Sequence, residues 1–195
     1  LTTPDRKRDE ELAMRERFLG AETLDELAAG PIASADMWRT LIARHHAASA
    51  AEDIVSRAVG IGGTWHLLAL IEDWCGDAFN TVPTLGALAG AAPGIDLRVL
   101  RRDQHLDLMD LHLSPTGGRA IPVVIVLDDQ FVERGWWGSR PSELQRWLST
   151  PEALAMEKAD RYKATRLWYV RDRGHSTQSE VLDVIETAAG LNRTA

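Results

Sequence analysis

The chain carries a single cysteine, Cys75, among 195 residues. No disulfide can form within it, which suits a reducing compartment. No apolar run approaches the roughly 18 residues of a membrane span, and the N-terminus lacks the charged-then-apolar order of an export signal. Positive charge is scarce too: 22 Lys and Arg face 29 Asp and Glu, for a formal charge of -7. Non-specific binding to nucleic acid or an anionic membrane needs clustered cations, and Arg6-Lys7-Arg8 is too short a cluster to supply them. There is no glycine-rich phosphate cradle and no Gly-x-Ser-x-Gly elbow. His45 and His46 are adjacent and point apart on a helix, while His105 and His112 would stand about 10 Å apart along one. No metal site is expected. The absences together predict a soluble, cytoplasmic protein without nucleic-acid or membrane partners, and they leave the oligomeric state open.

Against these absences stand 45% hydrophobic content and seven tryptophans, enough to bury one full core. Residues 1–62 read as helices. Leu12, Phe18 and Leu19 give the first segment an apolar side, and Thr23-Leu24-Asp25-Glu26 has the spacing of a capping box. Pro31 separates that helix from two more, whose apolar faces carry Met37, Leu41, Ile42, Ile54 and Val55. Gly60, Gly62 and Gly63 then break the pattern. Trp65 to Ile71 is a continuous apolar run that suits a strand covered on both faces. It leads into Glu72-Asp73-Trp74-Cys75-Gly76-Asp77-Ala78, which places Cys75 at the start of a helix over about 76–90. Unpaired N–H groups and the positive helix end favour a thiolate there, whereas Asp77, Asp73 and Glu72 oppose it, so the sign of the net shift is undecided.

Beyond that helix, residues 95–100 alternate as a half-buried strand, and a short helix is expected around Leu106 to Leu113. A hairpin of 122–128 and 131–137 follows, with Trp136 and Trp137 facing opposite sides of the sheet. Pro141 opens a closing helix with Glu143, Leu144, Trp147 and Leu148. Pro151 starts another through about Tyr169, and Thr177-Gln178-Ser179-Glu180 caps the last.

Trp74-Cys75-Gly76-Asp77-Ala78 resembles the active-site segment of the thioredoxin family, Trp-Cys-Gly-x-Cys, with Ala78 in place of the second cysteine. Pro83 stands where thioredoxins bend the active-site helix. Arg119-Ala120-Ile121-Pro122 resembles the family's Arg-Gly-Ile-Pro, whose cis proline packs against the active-site sulfur, and Gly138 matches its glycine beside the site. The resemblance covers about residues 61–149. It implies an α/β fold, a thioredoxin-like αβα sandwich with a mixed sheet of about four strands. In that organisation residues 63–149 are the core, and 1–62 and 150–195 are helical extensions of one compact domain.

The implied site is Cys75 surrounded by Trp74, Gly76, Asp77, Ala78, Ile121, Pro122 and Gly138. The family's proton-handling aspartate, six residues before the first cysteine, is here Ala69, and Asp77 replaces the usual proline of the turn. Asp77 reads equally well as a solvated first-turn residue favouring the helix dipole. Without a second thiol an internal dithiol cycle is impossible. The expected function is monothiol exchange, in which Cys75 forms mixed disulfides with a protein or small-molecule thiol or disulfide. No cofactor is expected beyond glutathione as co-substrate. The alternative is a non-catalytic thioredoxin-fold binding module.

Overall fold

The structure, a computed structural model, describes residues 3–191, with the side chains of residues 3–7 and of Glu10 outside what it describes. At its centre lies a four-stranded sheet in the order β2-β1-β3-β4. The strands are β1 (Trp65–Ile71), β2 (Ile95–Arg101), β3 (Val123–Leu127) and β4 (Glu133–Gly138). β1 runs parallel to β2 and antiparallel to β3, and β3 pairs antiparallel with β4. The two middle strands explain the two apolar runs in the sequence. Leu67 to Ile71 and Val123 to Leu127 are all buried, as strands covered by helices on both faces must be.

Four helices precede the sheet: α1 (Thr3–Gly20), α2 (Leu24–Ala29), α3 (Ala35–Ala48) and α4 (Glu52–Ile61). Only Phe18 of the three apolar residues expected on α1 is buried; Leu12 and Leu19 face solvent. Phe18 packs its ring on His66 of β1 and on Phe131 of the turn between β3 and β4, with centroids 4.8 and 5.6 Å away. Leu19 is one residue, about 100°, round the helix from that contact. The Thr23 capping box forms as the spacing requires, with reciprocal bonds between Thr23 and Glu26. Between α1 and α2, Glu22 exchanges both backbone hydrogen bonds with Val99. This single bridge covers the edge of β2 that would otherwise lie open.

After β1 comes α5 (Gly76–Ala91), and after β2 a 3-10 turn and α6 (Leu106–Met109), shorter than the expected helix to Leu113. The chain turns there so that His112, buried, reaches Glu133. Pro141 caps α7 (Ser142–Leu148). The single helix expected from Pro151 is two, α8 (Pro151–Ala155) and α9 (Lys158–Asp172), because Met156 and Glu157 are extended. The last helix, α10 (His175–Ala188), begins before the expected cap. Its start is set by Gly174 (φ 85°), where a Cβ would come within 2.4 Å of Thr84 on α5. Glu180, expected to cap, instead accepts from Trp137 Nε1 at 2.7 Å and Ser142 N at 2.8 Å. Packing, rather than local capping, claimed that side chain. Among the described residues no helix is long and apolar enough to cross a membrane.

Candidate functional site

Cys75 is the N-cap of α5, in extended geometry (φ -76°, ψ 115°), directly after the turn that ends β1. The turn closes through Cys75 N to Glu72 O at 3.1 Å. From the other side, Trp38 on α3, fully buried, donates its indole N–H to Asp73 O at 3.2 Å. Trp38 was not among the residues singled out from sequence, although its spacing with Ile42 places both on one helix face. The α1–α4 region thus grips the turn that carries the sulfur.

The Cys75 thiol donates to Ile121 O at 3.5 Å. The Ile121–Pro122 peptide is cis, and Ile121 and Pro122 are both buried. Gly138, the last residue of β4, pairs with Val123 and is exposed, as is Gly76. Trp74 projects into solvent at 60% exposure, with the Arg102 guanidinium 5.5 Å from its ring. Residues distant in sequence, Trp74, Cys75, Ile121 and Pro122, therefore meet at one end of the sheet.

Cys75 itself is only 7% exposed. Burial pushes its thiol above the ordinary range and the Asp77 charge adds to this; the Ala78 and Asp77 N–H groups and Arg140 pull it down without prevailing. The sign left open by the sequence is thereby resolved upward. Desolvation of a thiolate outweighs the helix end when so little water reaches the sulfur. Glu72 and Asp73, expected to oppose the thiolate, turn to other partners: Glu72 accepts from Asp103 N at 2.9 Å and Asp73 from Ala33 N at 3.2 Å.

Asp77 is not a solvated first-turn residue. Its side chain is 14% exposed and pairs with Arg140 Nη2 at 2.6 Å, while the Tyr169 hydroxyl donates to it at 2.9 Å. Asp77 raises the Arg140 pKa against the effect of burial, and burial together with the Asp77 charge drives the Tyr169 hydroxyl far above its usual range. Neither Arg140 nor Tyr169 carries a sequence signal, since Arg140 reaches the site from the bend after β4 and Tyr169 from α9. Ala78 is fully buried and offers no second sulfur. Arg119, beside the cis proline, is engaged by Asp110 at 2.6 and 2.8 Å. Among the described residues no group of three His, Cys, Asp or Glu is placed to hold a metal.

A family model described as thioredoxin matches residues 32–159. That is well over half of the chain, and the chain belongs to the thioredoxin family. Among solved structures it is similar to a protein of unknown function from Pseudomonas aeruginosa, with 22% identity over 89% of this chain and 97% of that one, at a TM-score of 0.68. It is also similar to an HIV epitope scaffold, with 23% identity over 89% and 97% and a TM-score of 0.63. At that identity the likeness is one of fold. No curated protein matches the chain.

Proposed function

We propose that the protein is a monothiol member of its family, with Cys75 exchanging disulfides with a protein or small-molecule partner. One observation carries the reading. The Cys75 sulfur stands at the start of α5, 3.5 Å from the carbonyl that precedes Pro122, beside an exposed tryptophan. The Ile121 N–H makes no hydrogen bond among the described residues, so an extended partner chain can add to the main chain there. Trp74 and Gly138 rim that approach.

In the reaction, Cys75 loses its proton to solvent and its thiolate attacks R–S–S–R′. The Cys75–S–S–R bond forms and R′–S⁻ leaves. Ala78 cannot resolve this intermediate. An external thiolate such as glutathione attacks the R sulfur, forms R–S–S–G and releases the Cys75 thiolate. A cytoplasmic location supplies that thiol. In this reading the 63–149 core carries the chemistry, and the helices of 1–62 and 150–195 are appendages that brace the turn and Asp77.

A second reading, a binding module without a redox cycle, is favoured by the raised thiol pKa and by Ala78. Two measurements separate them. Alkylation of Cys75 by iodoacetamide, followed from pH 6 to 10, should be slow at neutrality and rise above about 8.5. Turnover of a mixed-disulfide substrate should require glutathione and vanish in Cys75→Ser. Absence of turnover across the range, with partners retained equally by wild type and Cys75→Ser, would leave the binding module.

A further inference from the structure

A concavity lies at the carboxyl ends of β1 and β2, against Glu72 and Asp73 of the turn before Cys75. It is a cleft of about 510 Å³ bounded by Glu22, Gly30 to Ile32, Glu72, Asp73, Arg101 and His105. Its volume falls in the usual ligand range.

Two oppositely charged side chains in this cleft are left incompletely paired. The Arg101 side chain is only 16% exposed, yet its nearest carboxylates, Glu22 and Asp73, stand 3.7 and 3.8 Å away. Among the described residues its guanidinium makes no hydrogen bond, although it presents five donors. Glu72 is 8% exposed. One of its oxygens accepts from Asp103 N, and the other has no partner among the described residues. The two are close in the fold, because Ile71 pairs with Arg101 across the parallel ladder and Glu72 follows Ile71. They nevertheless form no ion pair with each other. Their unpaired polar atoms are not sealed in packed protein, so a ligand bearing both signs can pair with both groups at once.

The charge around them narrows the ligand further. A simple anion on Arg101 would face Glu22, Glu72 and Asp73, and a simple cation on Glu72 would face Arg101. Burial and the Arg17 charge hold the His105 pKa below the ordinary value, which disfavours a cation there.

We propose that this cleft binds the amino-carboxylate head of an α-amino acid, with Arg101 taking the carboxylate in a two-point grip and Glu72 accepting from the ammonium. A free amino acid and the γ-glutamyl end of glutathione share this chemistry. The proposal stands apart from the exchange at Cys75 and holds whether or not that thiol turns over.

The test is calorimetric titration of the Cys75→Ser protein with glycine, L-glutamate, L-lysine and S-methylglutathione, against acetate and methylamine as single-charge controls. At least one amino-carboxylate should bind saturably below about 10 mM, at least about tenfold tighter than either control. The tighter of the free amino acids and S-methylglutathione identifies the source. Glu72→Gln, which keeps an acceptor for Asp103 N, and Arg101→Lys, which keeps the charge but not the fork, should each weaken binding about tenfold with the melting temperature retained. The proposal is overturned if no amino-carboxylate saturates, if acetate or methylamine binds as tightly, or if folded Glu72→Gln binds as wild type does. If Arg101→Lys does not fold, the controls and Glu72→Gln still decide.

Discussion

Gly138→Ala tests how closely β4 must approach the proline segment. A Cβ built on Gly138 would meet Pro122 O at 2.6 Å and Val123 Cα at 3.3 Å. Ordinary contact begins near 3.4 Å, so the first of these is short by 0.8 Å, 3.4 less 2.6. Both atoms belong to the backbone, and neither can swing aside as a side-chain tip would. β3 is buried along its whole length, so relief must come from moving β4 or the segment at Pro122. Overpacking of this kind costs about 1–3 kcal/mol. For a chain of this size that lowers the melting temperature by roughly 2–12 °C. Gly76→Ala is the control: it also borders Cys75, but nothing lies within 4 Å of its Cβ. It begins α5, where alanine contributes up to about 1 kcal/mol over glycine. Thermal and urea melts of the two variants should therefore shift in opposite directions. A Gly138→Ala protein within about 0.5 kcal/mol of wild type would refute the close-approach argument.

Three further outcomes are expected. Arg57 ties α4 to α10, donating to Glu186 at 2.6 and 2.7 Å and to Ser179 O at 3.1 Å; Arg57→Ala should cost about 2–4 kcal/mol in urea unfolding, and a loss within experimental error would show that the tie is dispensable. Burial lowers the His112 pKa, but its bonds with Glu133 and Leu108 O prevail and raise it. The resulting stability is complete below the unfolded value of about 6.5 and is lost as pH rises through the folded pKa. Urea midpoints of wild type should thus fall through that window while those of Glu133→Gln stay flatter, and parallel profiles would contradict the assignment. Finally, because the buried Cys75 thiol titrates above its unfolded value, the unfolded chain ionises first. Stability should decline as pH climbs past about 8.5 in wild type and not in Cys75→Ala, an effect that equal alkaline profiles would exclude.

Much of the fold was legible in the chain because its signals are local. The β1 and β3 runs are apolar without alternation, which only a doubly covered strand tolerates. The Thr23 capping box closes within four residues, Pro31 and the glycines after Ile61 follow helix ends, and Pro141 stands at a helix start, each for backbone reasons alone. The helices that failed expectation did so where distant partners compete. Glu180 had the spacing of a cap and went to Trp137 and Ser142, and Leu12 and Leu19 had apolar character but no surface to meet.

At the candidate site the same division applies. Sequence by itself determined that one sulfur would stand at a strand-to-helix turn with no second thiol nearby, since element order and residue identity suffice for that. It was silent on how wet that sulfur would be. Only the tertiary structure decided that Cys75 is buried against Ile121, that Asp77 is locked by Arg140 and Tyr169, and that Arg101 and Glu72 share a cleft unsatisfied. Desolvation and charge pairing depend on atoms brought together across the whole chain, and no spacing within a segment encodes them.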